Sequence, residues 1–142
     1  MILYLETSRL VKLYFEEAGS EKAASLVEGA EFTATSIVSY VEARAAFARK
    51  LRDGGLAESG HRMAKAALDA DWERFIVLPA ATDIIREAGR LAEKHGLRGF
   101  DALHLASALS LDTGEGERLS VVFASADAKL NAAARLEGLK IA

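Results

Sequence analysis

Residues 121–127 read VVFASAD. Two β-branched residues and a phenylalanine in so short an apolar run favour a strand. The run stops at Ser125 and Ala126, and Asp127 follows one short turn later. Residues 2–6, ILYLE, repeat the form near the other end of the chain: an apolar strand at 2–5, then Glu6 directly after it. In an open parallel sheet the functional crevice lies beyond the carboxyl ends of the strands. Acids in these two places are therefore candidates for chemistry.

Outward from these strands, short apolar runs alternate with longer amphipathic segments. Helices are expected at 8–17 and 20–28, with Gly19 as the stop between them. A weak strand is expected at 32–34. Ser36 is the expected N-cap of a helix running to about residue 52, ended by Gly54 and Gly55. A helix at 56–72 and a strand at 75–78 follow, with the single proline, Pro79, as the strand exit. Ala81, Ile84, Ile85, Ala88, Leu91 and Ala92 form one helical stripe over 81–95, which Gly96 closes. A helix at 100–111, a polar loop at 113–118, a helix at 128–136 and a short strand at 139–141 complete the pattern. Strands separated by helices need crossovers. The expected fold is thus α/β: a central, mainly parallel sheet with helices on both faces. Strand order is not readable at this level.

The bulk numbers bound what such a fold can do. The chain has 142 residues, enough for one domain spanning 1–142 with a sizeable core. Its 51% hydrophobic and 27% charged residues make an ordinary globular mix. It contains no cysteine, which excludes disulfides, thiolate-held metals and a cysteine nucleophile. No basic flank precedes an apolar stretch at the start, and no apolar run is long enough to span a membrane, so a cytoplasmic protein is expected. The net charge of -3 counts against binding nucleic acid through phosphates alone. It does not count against an enzyme that reaches phosphate through a bound cation, which reverses the local sign.

Two further acids belong with Glu6 and Asp127. Glu42 lies early in a helix among Val38, Val41 and Ala45, and is expected to be partly buried. Asp101 opens a helix that then turns almost wholly apolar. Each acid alone has a bland explanation, since an acid in a first helical turn gains about 0.3–1 kcal/mol from the helix dipole. Four at one sheet edge repel one another unless a cation joins them, and carboxylate oxygens suit Mg²⁺ or Mn²⁺.

Four stretches resemble the PIN-domain family, and within it the VapC-type toxins: LYLETSRLVKLYFEE, TSIVSYVEARAAF, LRGFDALHLASAL and VFASADAKLNAAA. They span nearly the whole chain, and GFDALHLASA is the most specific. The resemblance implies a PIN-like three-layer α/β/α fold and a metal-dependent endoribonuclease. It implies one or two Mg²⁺ or Mn²⁺ ions held by Glu6, Glu42, Asp101 and Asp127, with Thr7, Ser8 and Ser125 orienting ligands or water. It implies cleavage of RNA phosphodiesters, a homodimer, and a cognate antitoxin that covers the acidic pocket. Two positions depart from the family pattern. Glu6 stands where the family usually has aspartate, moving the carboxylate out by about 1.5 Å. Arg9 stands where a small residue is common.

Arg9, Lys12, Arg44, Arg98 and Lys129 are candidate contacts to RNA backbone. His104, three residues after Asp101, is read as packing or bonding locally. His61 and His95 carry no partner signature. Tyr4, Tyr14 and Phe15 are explained by packing around the first strand and helix, and Trp72 and Phe75 are read as core or interface residues. The competing reading is a catalytically weakened PIN-fold module that binds RNA or a protein partner. A receiver-like phosphoacceptor fits less well, because no second acid adjoins Glu6 and Ser125-Ala126-Asp127 follows the last convincing strand.

Overall fold

The computed structural model describes residues 1–111 and 120–142; the loop expected at 113–118 lies outside them. Five strands form one parallel sheet: β1 (Ile2–Leu5), β2 (Phe32–Ser36), β3 (Ile76–Leu78), β4 (Val121–Ala124) and β5 (Lys140–Ile141). Their order is β3-β2-β1-β4-β5, so the chain's first strand lies in the middle. Around them lie α1 (Thr7–Leu10), a 3-10 turn (Val11–Leu13), α2 (Ser20–Glu28), α3 (Val38–Arg52), α4 (Glu58–Trp72), α5 (Thr82–His95), α6 (Gly99–Leu111) and α7 (Ala128–Leu136).

Side chains alternate across the pleat of β1 and sort the helices into two layers. Tyr4 joins Phe123 and Val121 in a core closed by α5, α6 and α7, through Leu91, Leu105 and Leu130. Leu3 and Leu5 face the other way, packing with Leu10, Ala43, Phe47, Ala64 and Leu68 of α1, α3 and α4. The three-layer α/β/α expectation therefore holds.

Helix α6 explains its own unusual sequence. Ala102 to Ala108 are seven consecutive buried residues, so this helix is enclosed on every side and shows no polar stripe. Gly96 ends α5 in the left-handed conformation at φ 64°, and α6 begins three residues later.

Two expectations need correction. The helix at 8–17 is only α1 followed by the 3-10 turn. Tyr14 and Phe15 leave the helical path to stack edge-on against Phe47. The Ser20 hydroxyl donates to the Phe15 carbonyl at 2.6 Å and accepts from the Glu17 amide at 3.1 Å, so a side chain satisfies backbone that a helix would otherwise pair. Ser36, expected as an N-cap, is the last residue of β2; α3 begins at Val38 with Ile37 at the cap.

A candidate metal centre at the carboxyl edge of the sheet

Register sets the first acid beside a serine. Leu5 pairs with Ala124, and the Glu6 amide donates to the Ala124 carbonyl at 3.0 Å. Glu6 and Ser125 therefore stand side by side where β1 and β4 end. Glu6 is 6% exposed and caps α1. Its Oε1 accepts from the Ser8 amide at 3.1 Å, and its Oε2 accepts from the Ser125 hydroxyl at 2.7 Å and from the Ser8 hydroxyl. Ser8 and Ser125 thus turn toward this acid, while Thr7 turns to another.

That acid is Glu42, in the second turn of α3. Its Oε1 accepts from the Thr7 hydroxyl at 2.7 Å and lies 2.7 Å from His104 Nε2. Burial raises its pKa, but the His104 and Thr7 hydrogen bonds outweigh that and hold the carboxyl below its ordinary value. His104, read from the sequence as a local packing residue, is fully buried and bridges α6 to α3. Tyr4, read as packing alone, completes the bridge by bonding its hydroxyl to His104 Nδ1 at 2.9 Å. No local pattern marks the Tyr4–His104 pair, because 100 positions separate the two.

Asp101 and Asp127 are tied differently. Asp101 Oδ2 accepts from Arg98 Nε at 3.1 Å. Asp127 caps α7, its Oδ1 accepting from the Leu130 amide at 2.9 Å. The exposed Arg98 guanidinium connects the set. Its pKa is raised first by the Asp101 hydrogen bond and then by the charges of Asp101, Asp127 and Glu6, and its own charge helps lower Glu42. Beyond its bond to Asp101, Arg98 thus meets the other acids through charge alone. Among the described residues, however, no three His, Asp or Glu side chains are gathered closely enough to hold a metal ion. Glu6, Asp101 and Asp127 instead point to partners within the protein.

The other basic candidates are mostly engaged in the fold. Arg9 Nη2 donates to the Ser125 carbonyl at 3.3 Å, and Lys12 pairs with Glu17 at 3.1 Å. Arg44 donates to the Tyr40 hydroxyl at 2.8 Å, and Lys129 donates to the Gly96 carbonyl at 2.7 Å. His95, expected to lack a partner, lies 2.9 Å from Glu137. Trp72 and Phe75 pack on the α3–α4 side, as core residues should.

This parallel-sheet fold is shared with known proteins. The family model for the PIN domain matches residues 3–136, and the chain belongs to the PIN-domain family. Within that family it is of the VapC type. It is 36% identical over 146 residues to Ribonuclease VapC45 of Mycobacterium tuberculosis (strain CDC 1551 / Oshkosh), covering 99% of this chain and 94% of the relative. Ribonuclease VapC49 of Mycobacterium tuberculosis (strain ATCC 25618 / H37Rv) matches to the same extent. Among solved structures, PAE2754 from Pyrobaculum aerophilum superposes with TM-score 0.71 at 20% identity, covering 99% of this chain and 89% of that one. VapBC2 from Rickettsia felis, bound to a DNA fragment from its promoter, superposes with TM-score 0.67 at 15% identity, covering 100% and 98%. At such low identity these two structures bear on the fold alone.

Proposed function

We propose that the chain is an endoribonuclease that hydrolyses RNA phosphodiesters with Mg²⁺ or Mn²⁺, and that it is the toxin of a toxin–antitoxin pair. The observation that carries this reading is the placement of Glu6, bonded to Ser125, and of Glu42, bonded to Thr7, at the carboxyl edge of the central strands. The family membership and the ribonuclease relatives support it.

The donor set fits the ion. It is all carboxylate, with hydroxyls behind it and no thiolate, which suits hard divalent cations. Glu6, Glu42, Asp101 and Asp127 would hold the metal, with Thr7, Ser8 and Ser125 orienting them. When bound, such an ion acidifies a coordinated water and offsets charge on the phosphate. The chain's own part is positional. Glu42 stays ionised at low pH, with Oε1 anchored in the wall. Ser8 and Ser125 hold Glu6. Arg98 is the mobile countercharge, free to leave Asp101 for a phosphate oxygen. In the overall reaction water oxygen bonds to phosphorus and the bond to the 3′ oxygen breaks. The leaving oxygen takes a proton, and a 5′-phosphate remains.

Single-stranded or loop RNA incubated with the protein should be cut with Mg²⁺ or Mn²⁺, and not with chelator or with Asp101→Asn. Intact RNA under all conditions would overturn the ribonuclease reading. A specific observation favours a second reading in that event: all four acids already have partners within the protein, and among the described residues no three are gathered. The fold would then be a PIN module that binds RNA or a protein partner, and Glu6→Asp would show whether the longer acid is responsible.

An antitoxin partner is part of the proposal. Ile37, Val41 and Phe100 are 47%, 61% and 55% exposed at the openings of α3 and α6, beside the acids. A partner chain with an apolar face and a basic side chain would cover them and replace Arg98. A homodimer and a cytoplasmic setting complete the proposal. Among the described residues, no helix is long and apolar enough to cross a membrane.

A further inference from the structure

His104 is a fully buried titratable side chain to which the proposed reaction gives no task. An imidazole inside a core costs free energy unless its polar atoms are paired, and here both ring nitrogens are. Nε2 lies 2.7 Å from Glu42 Oε1, and Nδ1 lies 2.9 Å from the Tyr4 hydroxyl.

The partners fix the protons. A carboxylate only accepts, so Nε2 carries hydrogen and donates to Glu42. In the neutral form of the ring Nδ1 then accepts, and the Tyr4 phenol donates to it. Thr7 gives its proton to the same Glu42 oxygen, 2.7 Å away. Two donors thus converge on Oε1; among the described residues none reaches Oε2.

The bridge also crosses layers. Glu42 stands on α3, whose Ala43 and Phe47 belong to one core, while His104 stands on α6 in the other. A glutamate has three rotatable bonds and, without this bridge, would sweep a wide arc. Tyr4 itself is held by stacking on Phe123 with centroids 5.6 Å apart, so the arrangement is anchored in the middle of the sheet.

We infer that His104 is a positioning residue: with Tyr4 behind it, it pins one oxygen of Glu42 to the crevice wall and presents the other to a bound divalent ion. This rests on the metal-dependent reading above. Residues that orient a metal ligand from behind commonly change metal affinity by about 10–100-fold.

The test uses the full chain and three variants. His104→Leu keeps bulk but removes both nitrogens. His104→Gln retains a donor near Nε2. Tyr4→Phe keeps the ring stacking and removes only the proton given to Nδ1. Mn²⁺ binding is read by electron paramagnetic resonance of the free ion, with no RNA present. Circular dichroism checks that each variant folds. The His104 tautomer is read in metal-free protein by long-range ¹H–¹⁵N correlation.

The expected tautomer carries hydrogen on Nε2. His104→Leu should weaken Mn²⁺ binding by about 10–100-fold. His104→Gln should recover most of that, and Tyr4→Phe should fall between. If His104→Leu does not fold, the Gln and Phe variants carry the comparison. Hydrogen on Nδ1 with none on Nε2 would overturn the inference. So would unchanged Mn²⁺ affinity in folded His104→Leu, or in Tyr4→Phe if the Leu variant does not fold. A folded Gln variant as weak as Leu would leave His104 a purely structural role. Wild-type protein that takes up no Mn²⁺ fails the metal reading instead, and the tautomer alone then decides whether Glu42 is pinned.

Discussion

Glu6 does two jobs that its sequence position reveals only in part. Its place after β1 marks it as a candidate ligand, and the structure adds that it caps α1 through the Ser8 amide. Losing a side-chain cap typically costs about 1 kcal/mol. Glu6→Ala should therefore lower stability by about that much in chemical denaturation, while Glu6→Asp, a good capping residue, should lose less. Equal losses would show that the cap contributes nothing. Arg98 is the second residue with a dual position. It is an exposed cation paired with Asp101, and such pairs are weak. Arg98→Ala should tighten Mn²⁺ binding by up to about fivefold by removing a competitor. Calorimetric titration showing weaker binding would assign Arg98 a supporting role instead. That Glu6, Asp101 and Asp127 lie at element ends was legible, because each follows or opens an apolar run. The Tyr4–His104–Glu42 bridge was not, because it is made only when three distant segments meet.

At the level of elements, the boundaries set by glycine and by strong apolar runs were legible. Strand β4 and helix α7 lie where the residues placed them. The failures share a cause: tertiary partners override local preference. Residues 14 and 15 have ordinary helical neighbours, yet Phe47 draws both aromatic rings out of the helix. The strand expected at 32–34 also takes in Thr35 and Ser36, the latter expected as a helix cap. The Thr35 hydroxyl donates to the Leu5 carbonyl at 2.7 Å and so needs no water. Gly96 tests whether the α5–α6 corner is as local as it looked. With φ at 64°, Gly96→Ala places a Cβ in the left-handed region, at a cost of about 1–2 kcal/mol. Nothing but the Lys129 ammonium, 3.8 Å away, would meet that Cβ, so the loss is conformational rather than steric. Thermal unfolding should move down accordingly while RNA cleavage is unchanged. An unaltered melting temperature would show that the corner relaxes.

For the whole molecule, the fold class was legible and the strand order was not, since alternation of elements does not say which strand is central. Long-range ties add a pH dependence. Glu137 accepts from Lys94 at 2.8 Å and lies 2.9 Å from His95, joining the end of α5 to the end of α7. Those partners, Lys94 foremost, hold its carboxyl below the ordinary 4.5. A depressed folded value means that the unfolded chain binds more protons in that window. The contribution is therefore complete above about pH 4.5 and is lost as pH falls through the folded value. Glu137→Gln should flatten the acid limb of the melting curve below that pH and leave Mn²⁺ affinity unchanged. A parallel acid limb would show the tie to be inert.

The central position of β1 has a consequence for synthesis. The strand made first must wait for residues 121–124 before its second neighbour exists, and Glu6 cannot meet Ser125 sooner. At about 5–20 residues per second, translation leaves a window of several seconds in which most of the polypeptide exists without a working catalytic edge. The edge where β1 and β4 end is thus among the last parts of the molecule to be completed.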